Sequence, residues 1–231
     1  MKTDTLTPET LAKYFDHTQL APNADEAMMH KLCQEARQLN TMMVAINPWW
    51  VPYCRKELEG TDIHVGAAIG FPLGQNTLET KLFETRDILE KGATEIDYMI
   101  NQSMVKAGDW DYVRKEMQGI TDISHEFKVP CKVILENCYL TKDEIRKICE
   151  IAVETGIDYV KTSTGKGSAG ATVEDVKLMK EVVGGHCKVK AAGGIRDWET
   201  CKAMINAGAD RIGTSSSIKI IEEFKKERGL E

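Results

Sequence analysis

The sequence predicts an α/β protein with the architecture of a (β/α)8 TIM barrel, built as one domain over residues 1–231. Eight short apolar segments, rich in β-branched residues, alternate with longer amphipathic segments, and none is followed by a two-residue hairpin turn. No proline- or serine-rich linker divides the chain. An open doubly wound sheet is the alternative, but the count of eight and the late position of the glycine-rich turns favour the closed barrel.

The predicted strands are apolar runs of three to seven residues, and the first of them is the weakest. Parallel strands in such a fold are buried on both faces, which is why they read as nearly continuous apolar runs. The predicted strands cover residues 14–18, 42–46, 63–69, 95–100, 131–135, 159–162, 187–191 and 211–213.

The helices between the strands carry recognisable start and stop signals. Thr141 with Glu144 forms a capping box, and Gly156 marks the end of the helix that it opens. Asp197 and Gly208 bracket another helix in the same way. The predicted helices cover residues 24–39, 76–90, 110–127, 141–155, 172–183 and 197–207, with a shorter one over 49–58 and a last one beginning near 215–217.

Composition excludes several classes of function. Lys and Arg number 30 and Asp and Glu 36, so the net charge of −6 argues against a nucleic-acid surface but leaves room for a local anion site. No apolar run has the length of a signal peptide or a membrane span. Seven cysteines without a C-x-x-C pair indicate reduced thiols in the cytoplasm, and no Cys/His cluster predicts a metal site. A homodimer is the assembly that we expect.

Two lysines lie at the ends of successive predicted strands. Lys161 ends the sixth strand and Lys190 lies in the seventh, where a charged side chain is anomalous. Neighbouring strands are about 4.8 Å apart, so two inward lysines would lie close together and disfavour each other's ammonium form. A free amine at neutral pH can form a Schiff base with a carbonyl. The alternative is that each lysine reaches the barrel rim or pairs with an acid.

Acidic side chains point to the same interior. Alternation places Glu95 and Asp97 on one face of the fourth strand, where an inward carboxylate needs a lysine partner or serves in proton transfer. Asp16 on the first strand is similar. A buried salt bridge without chemistry is the alternative for these residues, and a structural role is equally open for Glu136 and Asn137.

Glycine-rich turns follow the last two strands. Gly193, Gly194 and Arg196 follow the seventh strand, and Gly213, Ser215 and Ser216 follow the eighth and open a helix. Barrels of this class often bind phosphate with these two loops, although small residues can also simply make tight turns. The segment GKGSAG at 165–170 matches a dinucleotide fingerprint, but the next strand ends at Lys190 where an acid is required, so we reject that interpretation.

These motifs together resemble the deoxyribose-phosphate aldolase family, the class I aldolases that work through a Schiff base. The resemblance covers nearly the whole chain. It is carried by DHTQL at 16–20, IGFPLG at 69–74, EID at 95–97, KVILE at 132–136, VKTSTG at 160–165, KAAGGIR at 190–196 and GTSS at 213–216.

The resemblance implies a (β/α)8 barrel that reversibly cleaves 2-deoxy-D-ribose 5-phosphate to acetaldehyde and D-glyceraldehyde 3-phosphate without a cofactor or metal. It implies that Lys161 forms the Schiff base, that Lys190 tunes it and that Asp97 relays protons. Two departures from the family pattern, Ala45 and the pair at 137–138, bear on the substrate pocket. Substrate contacts are expected from Asp16, Thr18, Lys166, Gly193, Gly194, Arg196, Gly213, Ser215 and Ser216.

Two other functions fit the same residues. A phosphate-binding lyase or isomerase could use the lysines as acid and base without a covalent intermediate, and a phosphosugar sensor would bind without turnover. Borohydride separates the first from an aldolase, because only a Schiff base is reduced to a stable adduct. The sensor is disfavoured because it needs no pair of buried lysines.

Overall fold

The computed structural model describes residues 2–230, and within them eight parallel strands close into a barrel in the order of the sequence. This confirms the predicted (β/α)8 fold; the first and last residues of the predicted domain lie outside the described part. The first strand closes the barrel by pairing with the eighth. The strands are β1 (Phe15–Gln19), β2 (Met43–Ile46), β3 (His64–Ile69), β4 (Glu95–Met99), β5 (Cys131–Ile134), β6 (Tyr159–Lys161), β7 (Lys188–Ala192) and β8 (Arg211–Thr214).

Helices surround the barrel. Each helix predicted from the sequence is present, with ends displaced by at most two residues. The capping box of Thr141 and Glu144 forms as expected. The helices are α1 (Pro8–Ala12), α2 (Glu26–Leu39), α3 (Val51–Glu57), α4 (Leu78–Glu90), α5 (Gln102–Ala107), α6 (Trp110–Glu126), α7 (Lys142–Thr155), α8 (Val173–Val183), α9 (Trp198–Ala207) and α10 (Ser217–Arg228).

The helices α1 and α5 were not predicted, because five or six residues are too few to display a helical period of apolar side chains. Each is nevertheless signalled by the capping residue that precedes it. The Thr7 hydroxyl caps α1, and the Asn101 side chain accepts from two backbone N–H groups at the start of α5. Among the described residues, no helix combines the length and apolarity needed to cross a membrane.

The barrel interior has room for long side chains because two strands carry glycine, which has no side chain, beside them. A Cβ at Gly213 on β8 would lie 3.2 Å from Cε of Lys190. A Cβ at Gly66 on β3 would lie 2.3 Å from Sδ of Met43. These glycines therefore make space for inward-facing side chains of neighbouring strands.

Candidate active site

Lys161 and Lys190 lie side by side inside the barrel and share one carboxylate. The register of β6 and β7 pairs them directly. Their Nζ atoms lie 2.7 and 2.6 Å from the same atom, Oδ2 of Asp97 on β4. The other oxygen of Asp97, Oδ1, lies 3.0 Å from Nζ of Lys132 on β5. Three ammonium groups therefore converge on one buried carboxylate.

The contacts continue around the barrel and close on themselves. Nζ of Lys190 lies 2.5 Å from Oδ2 of Asp16, and Oδ1 of Asp16 lies 3.1 Å from Nε of Arg211. Nη2 of Arg211 lies 2.6 Å from Oε2 of Glu95, and Glu95 also contacts Lys132. All of these side chains are at most 4% exposed. We call the closed circuit the charge ring; its members are Asp16, Glu95, Asp97, Lys132, Lys190 and Arg211.

Lys161 loses its proton more readily than Lys132, its buried neighbour in this cluster. Burial lowers the pKa of Lys161 to about 8, and the charge of Lys190 acts in the same direction while Asp97 opposes it. Lys132 is also buried, but its contacts with Asp97 and Glu95 outweigh burial and raise its pKa. For Asp97, burial alone would raise the pKa, but the three lysines around it hold that pKa well below the usual value. A neutral amine near neutral pH is therefore available at Lys161.

A pocket of about 220 Å³ gives Lys161 access to solvent. Its walls come from the segments that follow β1, β6, β7 and β8, at the carboxyl end of the barrel where active sites of this architecture form. Lys166 and Arg196 contribute positive charge to it. The lining residues are Thr18–Ala21, Lys161, Thr164–Lys166, Ala192–Arg196 and Gly213–Ser215.

Two glycine-rich loops of the pocket are packed backbone to backbone. The N–H of Ala171 donates to the carbonyls of Ala192 and Gly193, both at 3.1 Å. A Cβ at Gly170 would lie 2.1 Å from the carbonyl oxygen of Gly193. Gly193 itself has φ +84°, a conformation that favours glycine. The glycines at 165–170 thus hold the loop after β6 against the loop after β7.

A buried histidine fixes the helix that follows the second glycine-rich loop. His17 on β1 lies with Nδ1 3.0 Å from Oγ of Ser217, the first residue of α10, and Nε2 2.8 Å from Oε2 of Glu35 on α2. Ser217 is fully buried, so this serine–histidine–carboxylate chain presents no nucleophile to a substrate. It ties the start of α10, next to Ser215, to β1 and α2.

The predicted substrate contacts divide into two groups. All of them except Asp16 and Ser216 line the pocket together with Lys161. Asp16 lies deeper, inside the charge ring, and the backbone N–H of Ser216 donates to Oγ1 of Thr214. Glu136 accepts from the backbone and hydroxyl of Thr164 and so supports a pocket wall.

Sequence reasoning missed Lys132 and Arg211 as members of the cluster. Both are charged residues in otherwise apolar strands, which is the same signal that singled out Lys161 and Lys190. Applying that rule to every strand would have found them. The pairing of Arg211 with Asp16 could not have been read from the sequence, because it depends on the closure of β8 against β1.

One group of side chains outside the pocket, His125, Cys131 and Asp158, has potential ligand atoms within 4.8 Å of one another. Asp158 already accepts from His125 at 3.0 Å and from the backbone of Cys131 at 2.9 Å. Burial raises the pKa of the Cys131 thiol to about 12, which keeps it protonated. Hydrogen bonding accounts for the group without a metal.

Comparison with known proteins gives a consistent match along the chain. The DeoC/LacD family of aldolases matches residues 10–221. The deoxyribose-phosphate aldolase of Lactobacillus acidophilus is 56% identical over 219 residues, which cover 95% of this chain and 92% of that protein. That of Bacteroides thetaiotaomicron is 55% identical over 226 residues, covering 97% and 95%.

Solved structures agree with the sequence matches. The tetrameric deoxyribose phosphate aldolase of Aeropyrum pernix has a TM-score of 0.89 and 33% identity, over 96% of this chain and 93% of that one. An aldolase named QR15 has a TM-score of 0.89 and 40% identity, over 95% and 98%.

Proposed function

Because the chain belongs to the DeoC/LacD family of aldolases, we propose that it reversibly cleaves 2-deoxy-D-ribose 5-phosphate to acetaldehyde and D-glyceraldehyde 3-phosphate. The observation that carries this is Lys161, a lysine with a pKa of about 8 at the wall of a pocket that also holds Lys166 and Arg196. One end of the pocket offers an amine for a carbonyl, and the other offers positive charge and bare backbone for a phosphate.

The reaction begins at Nζ of Lys161. The neutral amine attacks C1 of the open-chain sugar, the carbonyl oxygen takes up a proton, and loss of water leaves an iminium ion. Oδ2 of Asp97 lies 2.7 Å from this nitrogen and 2.6 Å from Nζ of Lys190. Asp97 and Lys190 therefore supply and accept the protons. No cofactor enters these steps.

The iminium ion is the electron sink for cleavage. A base removes the proton of the C3 hydroxyl, the C2–C3 bond breaks, and its electron pair forms the enamine while C3 becomes the aldehyde of glyceraldehyde 3-phosphate. Protonation of the enamine at C2 and addition of water then release acetaldehyde and restore the amine of Lys161. Asp97 and Lys190 are the groups that we assign to the proton steps.

The phosphate is held at the far end of the pocket. Gly193, Gly194 and Gly213 leave the backbone accessible there, and Ser215 lies just before the start of α10, whose N-terminal N–H groups favour anions. Lys166 and Arg196 add positive charge. Asp16, Thr18 and Ser216 complete the proposed set of substrate-positioning residues.

We also propose a cytoplasmic homodimer. All seven cysteines are free thiols, which suits a reducing compartment. Trp49 and Phe83 are 85% and 73% exposed, so each offers a large apolar side chain for contact with a second copy. The relative from Aeropyrum pernix is a tetramer, and light scattering after size-exclusion chromatography would distinguish monomer, dimer and tetramer.

The proposed activity is tested by trapping. Incubation with acetaldehyde and borohydride is expected to add one ethyl group to the intact protein, mapped by peptide mass spectrometry to Lys161. The protein is also expected to release acetaldehyde from 2-deoxyribose 5-phosphate. Lys161→Arg keeps the charge but forms no useful Schiff base, so it should lose both adduct and turnover. Turnover without any adduct would instead support acid–base chemistry, and binding without turnover a sensor.

A further inference from the structure

The charge ring is electrically balanced without Lys161. It holds three carboxylates and three cations that alternate around the barrel, each contacting a partner of opposite sign on both sides. Lys161 is a seventh group; among the described residues its ion pair is with Oδ2 of Asp97 alone, which Lys190 already contacts at 2.6 Å. Lys161 is therefore the surplus cation of a neutral circuit.

None of the six ring members lines the substrate pocket, and two of them line a second cavity. Arg211 and Glu95 line this separate cavity of about 390 Å³ together with His64 and Tyr159. The Tyr159 ring lies 5.6 Å from Cζ of Arg211 and 5.4 Å from Nζ of Lys132. Arg211 and Glu95 thus belong to the floor of the barrel and reach Lys161 only through the ring.

We propose that Arg211 and Glu95 are positioning residues that set the protonation state of Lys161 through the charge ring. The proposal rests on the proposed Schiff-base function of Lys161. Because the ring is buried, its charges are weakly screened, and a change of one charge at the floor is felt at Lys161.

The direction of each effect follows from the balance of charge. Without the guanidinium of Arg211 the ring carries one surplus negative charge, which favours the ammonium form of Lys161. Without the carboxylate of Glu95 it carries one surplus positive charge, which favours the free amine. The other charged groups near the cluster are unchanged in both variants. His64 lies beside Glu95, Lys166 and Arg196 line the pocket, and Glu136 is buried and bonded to Thr164.

The test measures the pH dependence of the rate at which acetaldehyde and cyanoborohydride trap Lys161. Arg211→Met should shift the midpoint of this profile to higher pH, and Glu95→Gln should shift it to lower pH, each by about half a unit to one unit. The double variant should return close to the wild-type midpoint, because the ring is neutral again. Arg211→Lys keeps the positive charge and should therefore keep a midpoint close to that of the wild type.

A structural disturbance alone would not produce shifts of opposite sign that cancel in the double variant. Midpoint shifts of the same sign in the two single variants, or the absence of a shift in both of them, would overturn the proposal. If Arg211→Met does not fold, the isosteric Glu95→Gln arm and Arg211→Lys still decide it. A wild type that gives no adduct at Lys161 would refute the proposed function, whereas an adduct without the shifts would refute only the role of the ring.

A matched control is available in the same chain. Lys81 and Glu116 form a second buried ion pair at 2.6 Å, between α4 and α6 and outside the charge ring, with both side chains fully buried. Glu116→Gln should lower the thermal midpoint of unfolding, because it leaves Lys81 as an unpaired buried charge, yet leave the pH midpoint of trapping unchanged. A comparable pH shift in this control would show that any buried charge has the effect and would remove the assignment to the ring.

Discussion

Lys161 and Lys132 show how two buried lysines beside one carboxylate acquire opposite properties. Lys132 contacts both Asp97 and Glu95, so burial is more than compensated and its pKa rises. Within residues 2–230, Lys161 has one carboxylate oxygen as its ion-pair partner, Oδ2 of Asp97, and it shares that oxygen with Lys190. Burial therefore prevails and the pKa of Lys161 falls to about 8. The number of carboxylates available to each lysine, rather than its depth, separates a structural cation from a nucleophile.

Lys190→Leu should move the activity profile to higher pH. The positive charge of Lys190 lowers the pKa of Lys161, and its removal also leaves Oδ2 of Asp97 to Lys161 alone. Each unit of increase reduces the free amine at neutral pH roughly tenfold. The measurement is kcat/KM for 2-deoxyribose 5-phosphate against pH, which in the wild type should rise through pH about 8. An unchanged midpoint would remove the tuning role of Lys190.

Asp97→Asn should separate imine formation from cleavage. Asp97 raises the pKa of Lys161, so its loss should leave at least as much free amine, and trapping should persist. Turnover should fall by about 10²–10⁴-fold because a proton-transfer group is lost. Trapping and steady-state rates are compared in the same preparation. Loss of trapping as complete as in Lys161→Arg would point to a structural role for Asp97.

At the scale of elements, the substrate pocket depends on how loops and helix ends are held by the barrel. The loop after β6 touches the loop after β7 through Gly170 and Gly193, with no room for a side chain between them. The start of α10 is held by His17 through Ser217. Gly170 and Ser217 do not line the pocket, so their roles do not appear in a list of substrate contacts.

Gly170→Ala should reduce activity by displacing this wall. The new Cβ would lie 2.1 Å from the carbonyl oxygen of Gly193, so one loop must move, at a cost of about 1–3 kcal/mol in the free energy of unfolding. Gly185→Ala is the control, since a Cβ there has no atom within 4 Å. Urea unfolding and kcat/KM are measured for both variants. Equal behaviour of the two would show that the close approach of the loops has no consequence.

Ser217→Ala should weaken recognition of the phosphate more than the chemistry. It leaves Nδ1 of the buried His17 without its 3.0 Å partner and loosens the start of α10. We expect kcat/KM for 2-deoxyribose 5-phosphate to fall roughly five- to tenfold, with little change for unphosphorylated 2-deoxyribose. Ser124→Ala, which removes a buried hydroxyl bonded to Ile120 within α6, is the control. Equal losses for both sugars would contradict a link to the phosphate end.

At the scale of the whole molecule, the barrel interior couples stability to pH. The pKa of Asp16 is lowered: burial would raise it, but Arg211 and Lys190 more than offset burial. A carboxyl group with a lowered folded-state pKa stabilises the fold above its unfolded pKa, and this contribution is lost as pH falls through the folded value. Asp97 acts in the same sense.

Asp16→Asn should therefore be less stable than the wild type at neutral pH, with a difference that shrinks on acidification. As pH falls below the ordinary aspartate pKa of 3.8 towards the lowered pKa of folded Asp16, the wild type loses the contribution of this carboxylate, which the variant never has. The midpoint of urea unfolding as a function of pH measures this. A difference that stays constant down to the lowest pH would show that packing, and not the charge of Asp16, makes the contribution.

The sequence by itself determined the barrel, its strands to within one residue and most helices to within two. Alternation of apolar runs with capped amphipathic segments is a local property, so it is legible without a structure. The same is true of Lys161 and Lys190, because a charge in an apolar strand is anomalous wherever it points. Helices as short as α1 and α5 escaped because they contain too little of the helical period.

Only the tertiary structure decided which charges meet. Asp16 and Arg211 are far apart in the sequence and become neighbours because β1 pairs with β8. That closure brings three carboxylates and three cations into one circuit and leaves Lys161 as the surplus cation. Strand formation depends on local pattern, whereas the protonation of a buried amine depends on every charge within a few ångströms, which is fixed only when the barrel closes.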